Sequence, residues 1–145
     1  MPDGTRNDPY GQFNFNIEID GKTLGGFSEV SGLSQESTPI EYREGNEKHG
    51  TTRKLPGLIK YNNIVLKRGW TKDKVLWEWR KQVIDGKTDR RHGSIVLLDE
   101  ARQPALRWNF REGWPCKWEG PALNGKTSEV AIETLEICHE GLEMA

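Results

Sequence analysis

Residues 120–127, GPALNGKT, form the stretch whose spacing comes nearest to a chemical motif. They fit the pattern G-x-x-x-x-G-K-[ST], in which backbone N–H groups surround phosphates and the lysine contacts the terminal ones. The apolar run 95–99, IVLLD, resembles the strand whose final acid helps to bind Mg²⁺ in such sites. Spacing alone therefore suggests a nucleoside triphosphatase.

The surroundings of this segment argue against nucleotide chemistry. The acid-ended run precedes the loop, whereas it should follow it, and too few residues come after Lys126 for the parallel strands and crossover helices of such a fold. Pro115 and Pro121 interrupt the strand expected before the loop. Gly-Lys-Thr also follows Asp20 and Asp85, which is typical of a turn sequence. We therefore predict that Asn124-Gly125 is a hairpin turn.

Histidines and cysteines do not form a recognisable site in the sequence. His49, His92 and His139 are scattered, and none stands at metal-ligand spacing from another histidine. His139 adjoins Cys138, but in a strand their side chains would point to opposite faces. We predict no catalytic residue, no metal site and no cofactor, and we interpret Cys116 and Cys138 as reduced thiols without a chemical role.

The charge balance and the hydropathy of the chain argue against a general nucleic-acid binder and against a membrane-spanning protein. Lys and Arg number 21 against 22 Asp and Glu, so the chain lacks the positive excess of a general nucleic-acid binder. Basic clusters such as Lys67-Arg68 and acids such as Glu133 and Glu136 are interpreted as solvated surface charges. No apolar run approaches the roughly 20 residues that cross a bilayer, and no secretory signal is seen. We expect a protein without a membrane anchor, made in the cytoplasm.

The 145 residues are predicted to form a single domain, 1–145, in which 1–12 are a flexible arm. Residues 13–20, FNFNIEID, alternate apolar and polar side chains as a half-buried strand does. Asp20-Gly21 then predicts a tight turn into an amino-terminal hairpin whose second strand is 27–33. Further strands are predicted at 39–43, 94–98, 106–110, 114–118 and 130–138. The last run also fits a helical stripe, but its Val, Ile and Thr content favours a strand. Pro56-Gly57 predicts a turn that leads into another strand, whose apolar residues 64–66 are expected to be covered on both faces.

One helix and one long loop complete the prediction, which is mainly β: antiparallel sheets in a sandwich or barrel-like arrangement with one α-helix. Residues 71–84 predict the helix, with Thr71 at its start and Gly86 at its end. Trp77 and Ile84 lie opposite its main apolar face, which implies a second neighbour. Residues 44–57 offer almost nothing apolar and predict a long loop that contacts another chain.

The six tryptophans could serve as base-stacking platforms, but the balanced charge disfavours single-stranded nucleic acid as a partner. Large aromatic side chains more commonly stabilise cores and protein interfaces. This use suits a β protein that associates with copies of itself.

Seven blocks of sequence closely resemble the tail tube protein family of contractile phages, phage-like particles and extracellular contractile injection systems. The resemblance runs in order over residues 13–143. The blocks are FSEVSGL (27–33), YREG (42–45), LPGLIKYNNIVLKRG (55–69), LWEW (76–79), GSIVLLD (93–99), WPCKWEGPAL (114–123) and VAIETLEICHEGLE (130–143).

The resemblance implies a structural subunit that joins copies of itself into hexameric rings, which stack into a rigid inner tube within a contractile sheath. Strands of all subunits would line the lumen as a continuous barrel. Partners would be the sheath protein, the baseplate or hub and tube-terminating proteins, with DNA or effector protein as cargo. The alternative is a secreted hexameric ring that carries or chaperones effectors, similar to the tube protein of type VI secretion.

The family pattern also suggests which residues meet other chains. The segment 44–57 would reach the adjacent ring, and the helix would lie on the outer wall against a neighbouring subunit or the sheath. The residues expected in the inter-ring contact are Glu44, Glu47, Lys48, His49, Arg53 and Lys54, those on the outer wall Trp77, Arg80, Lys81 and Ile84, and those of an inter-subunit strand Ile64, Val65 and Leu66.

Overall fold

The computed structural model describes residues 8–48, 50–126 and 128–145. In this part of the chain it contains ten β-strands and one α-helix, α1 (Val75–Ile84), as the mainly β prediction required. The strands are β1 (Phe15–Ile19), β2 (Lys22–Leu24), β3 (Phe27–Ser31), β4 (Gln35–Tyr42), β5 (Arg53–Tyr61), β6 (Ile64–Gly69), β7 (Arg91–Leu98), β8 (Pro104–Glu119), β9 (Ile132–Cys138) and β10 (Gly141–Met144).

Eight of the strands form one antiparallel sheet in the order β2-β1-β7-β8-β9-β6-β3, with β10 also paired to β8. The remaining two, β4 and β5, pair only with each other in a separate two-stranded ribbon. Antiparallel pairing throughout agrees with the absence of a βαβ repeat in the sequence.

Strand β8 joins the two halves of the large sheet. Over its 16 residues its first part pairs with β7 and β10, and its last part pairs with β9. The strand changes course at Glu112, which has a φ of 54°, and at the following Gly113. A Cβ on Gly113 would lie 2.5 Å from the Phe110 ring, so only glycine fits at this bend. The sequence had predicted two separate strands here because this local break resembles a turn.

The core lies where inward-facing side chains of both halves meet under α1. Ile17 and Ile19 of β1 are buried, as the alternation of 13–20 predicted. Leu76 and Trp79 of α1 are also buried. The buried cluster consists of Ile17, Ile19, Ile64, Leu66, Leu76, Trp79, Ile95, Phe110, Leu135, Ile137 and Leu142. A helix of ten residues is marginally stable on its own, so α1 is stabilised mainly by packing of Leu76 and Trp79 in this core.

The amino-terminal hairpin was predicted with the correct turn and the wrong second strand. Asp20 and Gly21 have φ angles of 52° and 78°, the left-handed values that a tight turn needs. The turn leads directly into the short strand β2. The run 27–33 contains β3, which pairs with β6 across the fold. Its position soon after 13–20 in the sequence had suggested pairing with β1 instead.

The predicted loop 44–57 is shorter than expected. Strand β5 begins at Arg53, so only the tip between β4 and β5 lies outside the strands. Pro56-Gly57 is not a turn, because Pro56 pairs with Pro39 beside a register shift in the ribbon. A proline is tolerated there, since it lacks a donor and sits at a bulge. Gly57 is required because a Cβ would lie 2.3 Å from the Thr38 carbonyl oxygen.

Helix α1 begins later than predicted, at Val75 instead of residue 71. The Asp73 carboxylate accepts a hydrogen bond from the Val75 N–H at 3.0 Å, and the Thr71 hydroxyl accepts one from the Asp73 N–H. Both side chains therefore cap the turn that leads into the helix. Gly86, with a φ of 82°, follows its end as predicted.

The ambiguous run 130–138 is a strand, since β9 covers most of it. Its buried residues alternate with half-buried ones, which decides against the helical alternative. Residues 94–98 lie in β7 as predicted, whereas β10 was not predicted from the sequence. Within the described residues, no helix is long and apolar enough to span a membrane.

Candidate assembly surfaces

The segment that resembles a phosphate-binding loop connects two antiparallel strands. Residues 120–126 lie between β8 and β9 and do not lead into a helix. The backbone N–H of Lys126 donates to the Asn124 side chain at 2.9 Å, as in a polar turn. Thr127 lies outside the described residues. The strand-to-helix geometry that such a motif needs is not present here.

Titratable side chains of the described residues do not group into a metal-binding cluster of three or more His, Cys, Asp or Glu. His92 lies 3.7 Å from the Glu112 carboxylate on the surface. The ring nitrogens of His139 lie 3.1 Å and 3.0 Å from the carbonyl oxygens of Gly141 and Asn62. A histidine held between two backbone carbonyls connects segments of the fold and is not poised as a metal ligand.

The β4–β5 ribbon is exposed along most of its length. Every residue of β4 is exposed, and so are most residues of β5. Tyr61, at the end of β5, packs against the core, but the other large apolar side chains of the ribbon are exposed: Leu58 is 87% exposed, Ile59 59% and Ile40 52%. A two-stranded ribbon is at best marginally stable in water without a packing partner. These side chains therefore form a surface suited to burial against another molecule.

The residues predicted for an inter-ring contact lie at the tip of this ribbon. Arg53 Nε lies 2.8 Å from the Glu47 carboxylate, and Arg43 donates to the Glu47 carbonyl at 3.1 Å. Glu44 and Lys48 are exposed between the strands, and Lys54 stands opposite Glu41 in the ribbon. The structure thus brings the predicted set together, except His49, which lies outside the described residues.

Strand β6 cannot offer its backbone to another subunit, contrary to the sequence-based assignment of Ile64, Val65 and Leu66. It pairs with β3 along one edge and with β9 along the other, within the same chain. Ile64 and Leu66 are 0% and 1% exposed. The apolar run was expected to be covered on both faces, but only the face of Ile64 and Leu66 is buried, and Val65 on the other face is half-buried.

The open edges of the large sheet lie at β2, β3 and β10, each of which pairs on one side only in the described structure. Both strands of the ribbon likewise have one unpaired edge. Unpaired N–H and C=O groups along an edge strand are a template for pairing with another chain. The fold therefore offers several backbone edges for association.

The outer face of α1 is partly occupied by its own chain. The Trp77 ring packs on the Trp118 ring with centroids 4.9 Å apart, and Trp70 packs on Trp118 at 5.7 Å. Arg80 donates to the Pro115 carbonyl at 3.2 Å. The second neighbour predicted for the helix is thus Trp118 of β8. Two of the four predicted outer-wall residues remain exposed, namely Lys81, which pairs with Asp85, and Ile84.

Replacing Trp77 by alanine is expected to lower the free energy of unfolding by about 2 kcal/mol, because the ring's contact with Trp118 is lost. Ile84→Ala is the matched control, since Ile84 is 58% exposed on the same helix. That control should change stability by less than about 0.5 kcal/mol. Urea unfolding of the two variants decides the matter. If Trp77→Ala is as stable as wild type but does not assemble, Trp77 contacts another subunit instead of stabilising its own chain.

A buried ion pair connects β6, β9 and the turn before α1, and nothing in the local sequence indicates its burial. Arg68 and Glu133 are 4% and 1% exposed, and Arg68 Nε donates to Glu133 at 2.8 Å. The second Glu133 oxygen accepts from Trp118 Nε1 at 2.8 Å. Arg68 also contacts the Asp73 carboxylate at 3.3 Å. The interpretation of Arg68 and Glu133 as solvated charges is therefore wrong. The register places the two residues opposite each other on β6 and β9, and both side chains are buried.

Residues 11–143 match the family model described as T4-like virus tail tube protein gp19. A search of curated proteins found no significant sequence match.

Among solved structures, the chain is similar to one in the PVC sheath-tube complex of an extracellular contractile injection system in its extended state. The TM-score is 0.85 at 22% identity, over 94% of this chain and 91% of that chain. A chain of the anti-feeding prophage cap, the AFP tube terminating cap, gives a TM-score of 0.86 at 22% identity, over 100% and 99%. Hcp1 from Flavobacterium johnsoniae gives 0.60 at 16% identity, over 91% and 94%. At these identities the structural similarity establishes the fold.

Proposed function

The chain belongs to the T4-like virus tail tube protein gp19 family, and from this membership we propose that copies of it assemble into stacked hexameric rings that form the inner tube of a contractile particle. It is a structural tube subunit, in a family of structural tube proteins. The observation that carries the proposal is the family match over residues 11–143. The exposed ribbon and open sheet edges supply the physical means.

The open edges favour closure through neighbouring subunits. A sheet that ends in unpaired strands must cover them, and a barrel shared among subunits removes edges altogether. Strands β2, β3 and β10 are edges of the large sheet, and the ribbon has edges of its own. We assign the inter-subunit backbone pairing to these strands instead of β6. Because edges of one copy would meet different edges of the next, the contacts are heterologous and close into a ring.

The ribbon serves the contact between adjacent rings in this proposal. Its tip carries both charge signs, with Glu44 and Glu47 alongside Lys48, Arg53 and Lys54, so two such surfaces can complement each other. Its exposed apolar side chains would supply the buried centre of the contact. A contact that does not close on itself continues into a filament, as a tube requires.

The exposed part of α1, with Lys81 and Ile84, is the surface we assign to the outer wall, against a neighbouring subunit or the sheath. Similar chains occur in a sheath-tube complex, a baseplate and a tube terminator. We therefore propose a sheath protein, a baseplate or hub and a terminating protein as partners, with DNA or effector protein as the cargo. Sheath shortening would drive the tube, so the subunit performs no bond chemistry. Assembly would begin in the cytoplasm.

The alternative is a secreted hexameric ring that acts as an effector carrier. The similarity to Hcp1 is the observation in its favour, but its TM-score of 0.60 is well below the 0.85 of the injection-system chain. The family match also favours a tail tube.

Negative-stain electron microscopy of the purified full-length chain at increasing concentration tests the proposal. Stacked rings with a central channel and six-fold symmetry are the expected result. Six-fold rings that never stack would favour the carrier instead. A folded protein that stays monomeric at the highest concentration, measured by light scattering, would overturn both.

A further inference from the structure

The two cysteines of the chain come together on adjacent strands. Cys116 lies in β8 and Cys138 in β9, and the register pairs Pro115 with Ile137 and Trp114 with Cys138. Pro115 and Ile137 are buried, so the cysteines next to them point to the opposite face of the sheet. A register shift between Pro115 and Lys117 makes Cys116 the extra residue of a bulge. Both thiols are free and half-buried.

The Cys116 thiol has polar neighbours and lies near Cys138 across the two paired strands. Cys116 Sγ lies 3.5 Å from the Glu136 carbonyl oxygen and 3.7 Å from Asn63 Nδ2. The Cys138 thiol is among the groups that raise the pKa of the Cys116 thiol. The register places Trp114 opposite Cys138, so Cys116 lies diagonally across from Cys138, with an offset that the bulge makes smaller than the two residues of a regular diagonal pair. A disulfide spans a Cα separation of about 4.4–6.8 Å, so forming the bond requires a shift of the backbone at the bulge.

We propose that Cys116 and Cys138 form a reversible oxidation site, which a small-molecule disulfide converts to an intramolecular disulfide between β8 and β9. One cysteine attacks the reagent, forms a mixed disulfide and releases one reagent thiol. The second cysteine attacks the mixed disulfide and releases the other. Two protein S–H bonds and one reagent S–S bond become one protein S–S bond and two reagent S–H bonds, so the protein loses two electrons and two protons.

The surroundings of the two thiols determine which one attacks the reagent first. Burial, the neighbouring Cys138 thiol and the nearby Glu136 carboxylate raise the pKa of the Cys116 thiol to about 12. Since the thiolate is the attacking species, Cys116 is a poor first nucleophile at neutral pH. Cys138 therefore attacks first and Cys116 closes the bond.

The disulfide would close a loop that contains the exposed connection between β8 and β9. Closing such a loop restricts the unfolded chain and so favours the folded state. The oxidised chain is expected to unfold at a higher temperature than the reduced one. This consequence concerns the isolated fold and does not depend on tube assembly.

The test uses purified full-length chain in a buffer of reduced and oxidised glutathione, followed by acid quenching, alkylation and intact-mass measurement. The expected product has lost two hydrogen atoms, carries no glutathione and takes up no alkylating reagent. Cys116→Ser and Cys138→Ser are the matched variants. Cys116→Ser should retain one glutathione on Cys138, because no second cysteine is present to displace it. Cys138→Ser should take up glutathione more slowly, because the Cys116 thiol is a poor attacking group at neutral pH.

Three results would overturn the proposal. One is a wild-type chain that keeps two alkylatable thiols or carries two glutathiones. Another is a product of twice the mass, which would mean that copies are joined instead. The last is a pair of single-cysteine variants that both take up no glutathione, since the thiols would then be inaccessible to the reagent.

Discussion

Replacing Leu58 by glutamate is expected to give a folded chain that builds no tubes. Leu58 is 87% exposed on β5 and packs on nothing in the core, so the fold loses little. In the proposed tube it lies within a contact between copies. A carboxylate buried there without a partner costs several kcal/mol at every repeat of the contact. Electron microscopy and sedimentation should show the loss, and circular dichroism should show an unchanged fold.

The control is Leu123→Glu, which makes the same substitution at a leucine that is 84% exposed in the connection between β8 and β9. Both variants change the net charge equally, so a general effect of charge would appear in both. The proposal requires tubes from Leu123→Glu and none from Leu58→Glu. Normal tubes from Leu58→Glu would remove the ribbon from the assembly contacts.

The prominence of the ribbon also explains why its strands were hard to predict. Residues 13–20 alternate in hydropathy because one face of β1 is buried, and that alternation was sufficient to predict the strand. Strand β4 has no buried face, and its sequence predicted a strand only at 39–43, where Ile40 and Tyr42 alternate with polar residues. Strand β5 is exposed over most of its length, so the polar composition of 44–57 predicted a loop and Pro56-Gly57 predicted a turn. The pairing of Pro39 with Pro56 becomes evident only in the structure.

Strand partners were the other feature that the sequence did not determine. The run of 64–66 correctly predicted a strand, but only the face of Ile64 and Leu66 is buried, and hydropathy does not tell which strands pair with it. In the structure β3 and β9 provide the pairing. Cys116 and Cys138 illustrate the same limit, because only the register of β8 and β9 brings them together.

The pairing of Arg68 with Glu133 was equally hidden, because nothing in either local sequence marks its charge as buried. The register places the two residues opposite each other on β6 and β9. Neither would be tolerated alone in the interior, since an isolated buried charge is strongly unfavourable. Together with the Trp118 indole and the Asp73 carboxylate they satisfy one another. The network thus holds the turn before α1 against the sheet.

Glu133→Ala is expected to lower the free energy of unfolding by about 3–5 kcal/mol, because it leaves the Arg68 charge buried without its closest partner. It also removes the acceptor of the Trp118 indole N–H. Glu119→Ala is the matched control: Glu119 pairs with Lys117 at 2.8 Å, but the pair lies on the surface. The control should leave the urea midpoint unchanged within error. Both are measured at concentrations where the chain is monomeric, so that assembly does not contribute.

The double variant Arg68→Met/Glu133→Leu separates the loss of a favourable pair from the burial of a lone charge. Replacing a buried ion pair by apolar residues of similar volume is often neutral or stabilising, whereas removing one partner is not. We therefore expect the double variant to be more stable than Glu133→Ala, although Asp73 and Trp118 each lose a partner in it. A double variant as unstable as Glu133→Ala would mean that the pair itself, with its hydrogen bonds, holds α1 against the sheet. A Glu133→Ala chain as stable as wild type would mean that Arg68 reaches solvent or is neutralised by Asp73 alone.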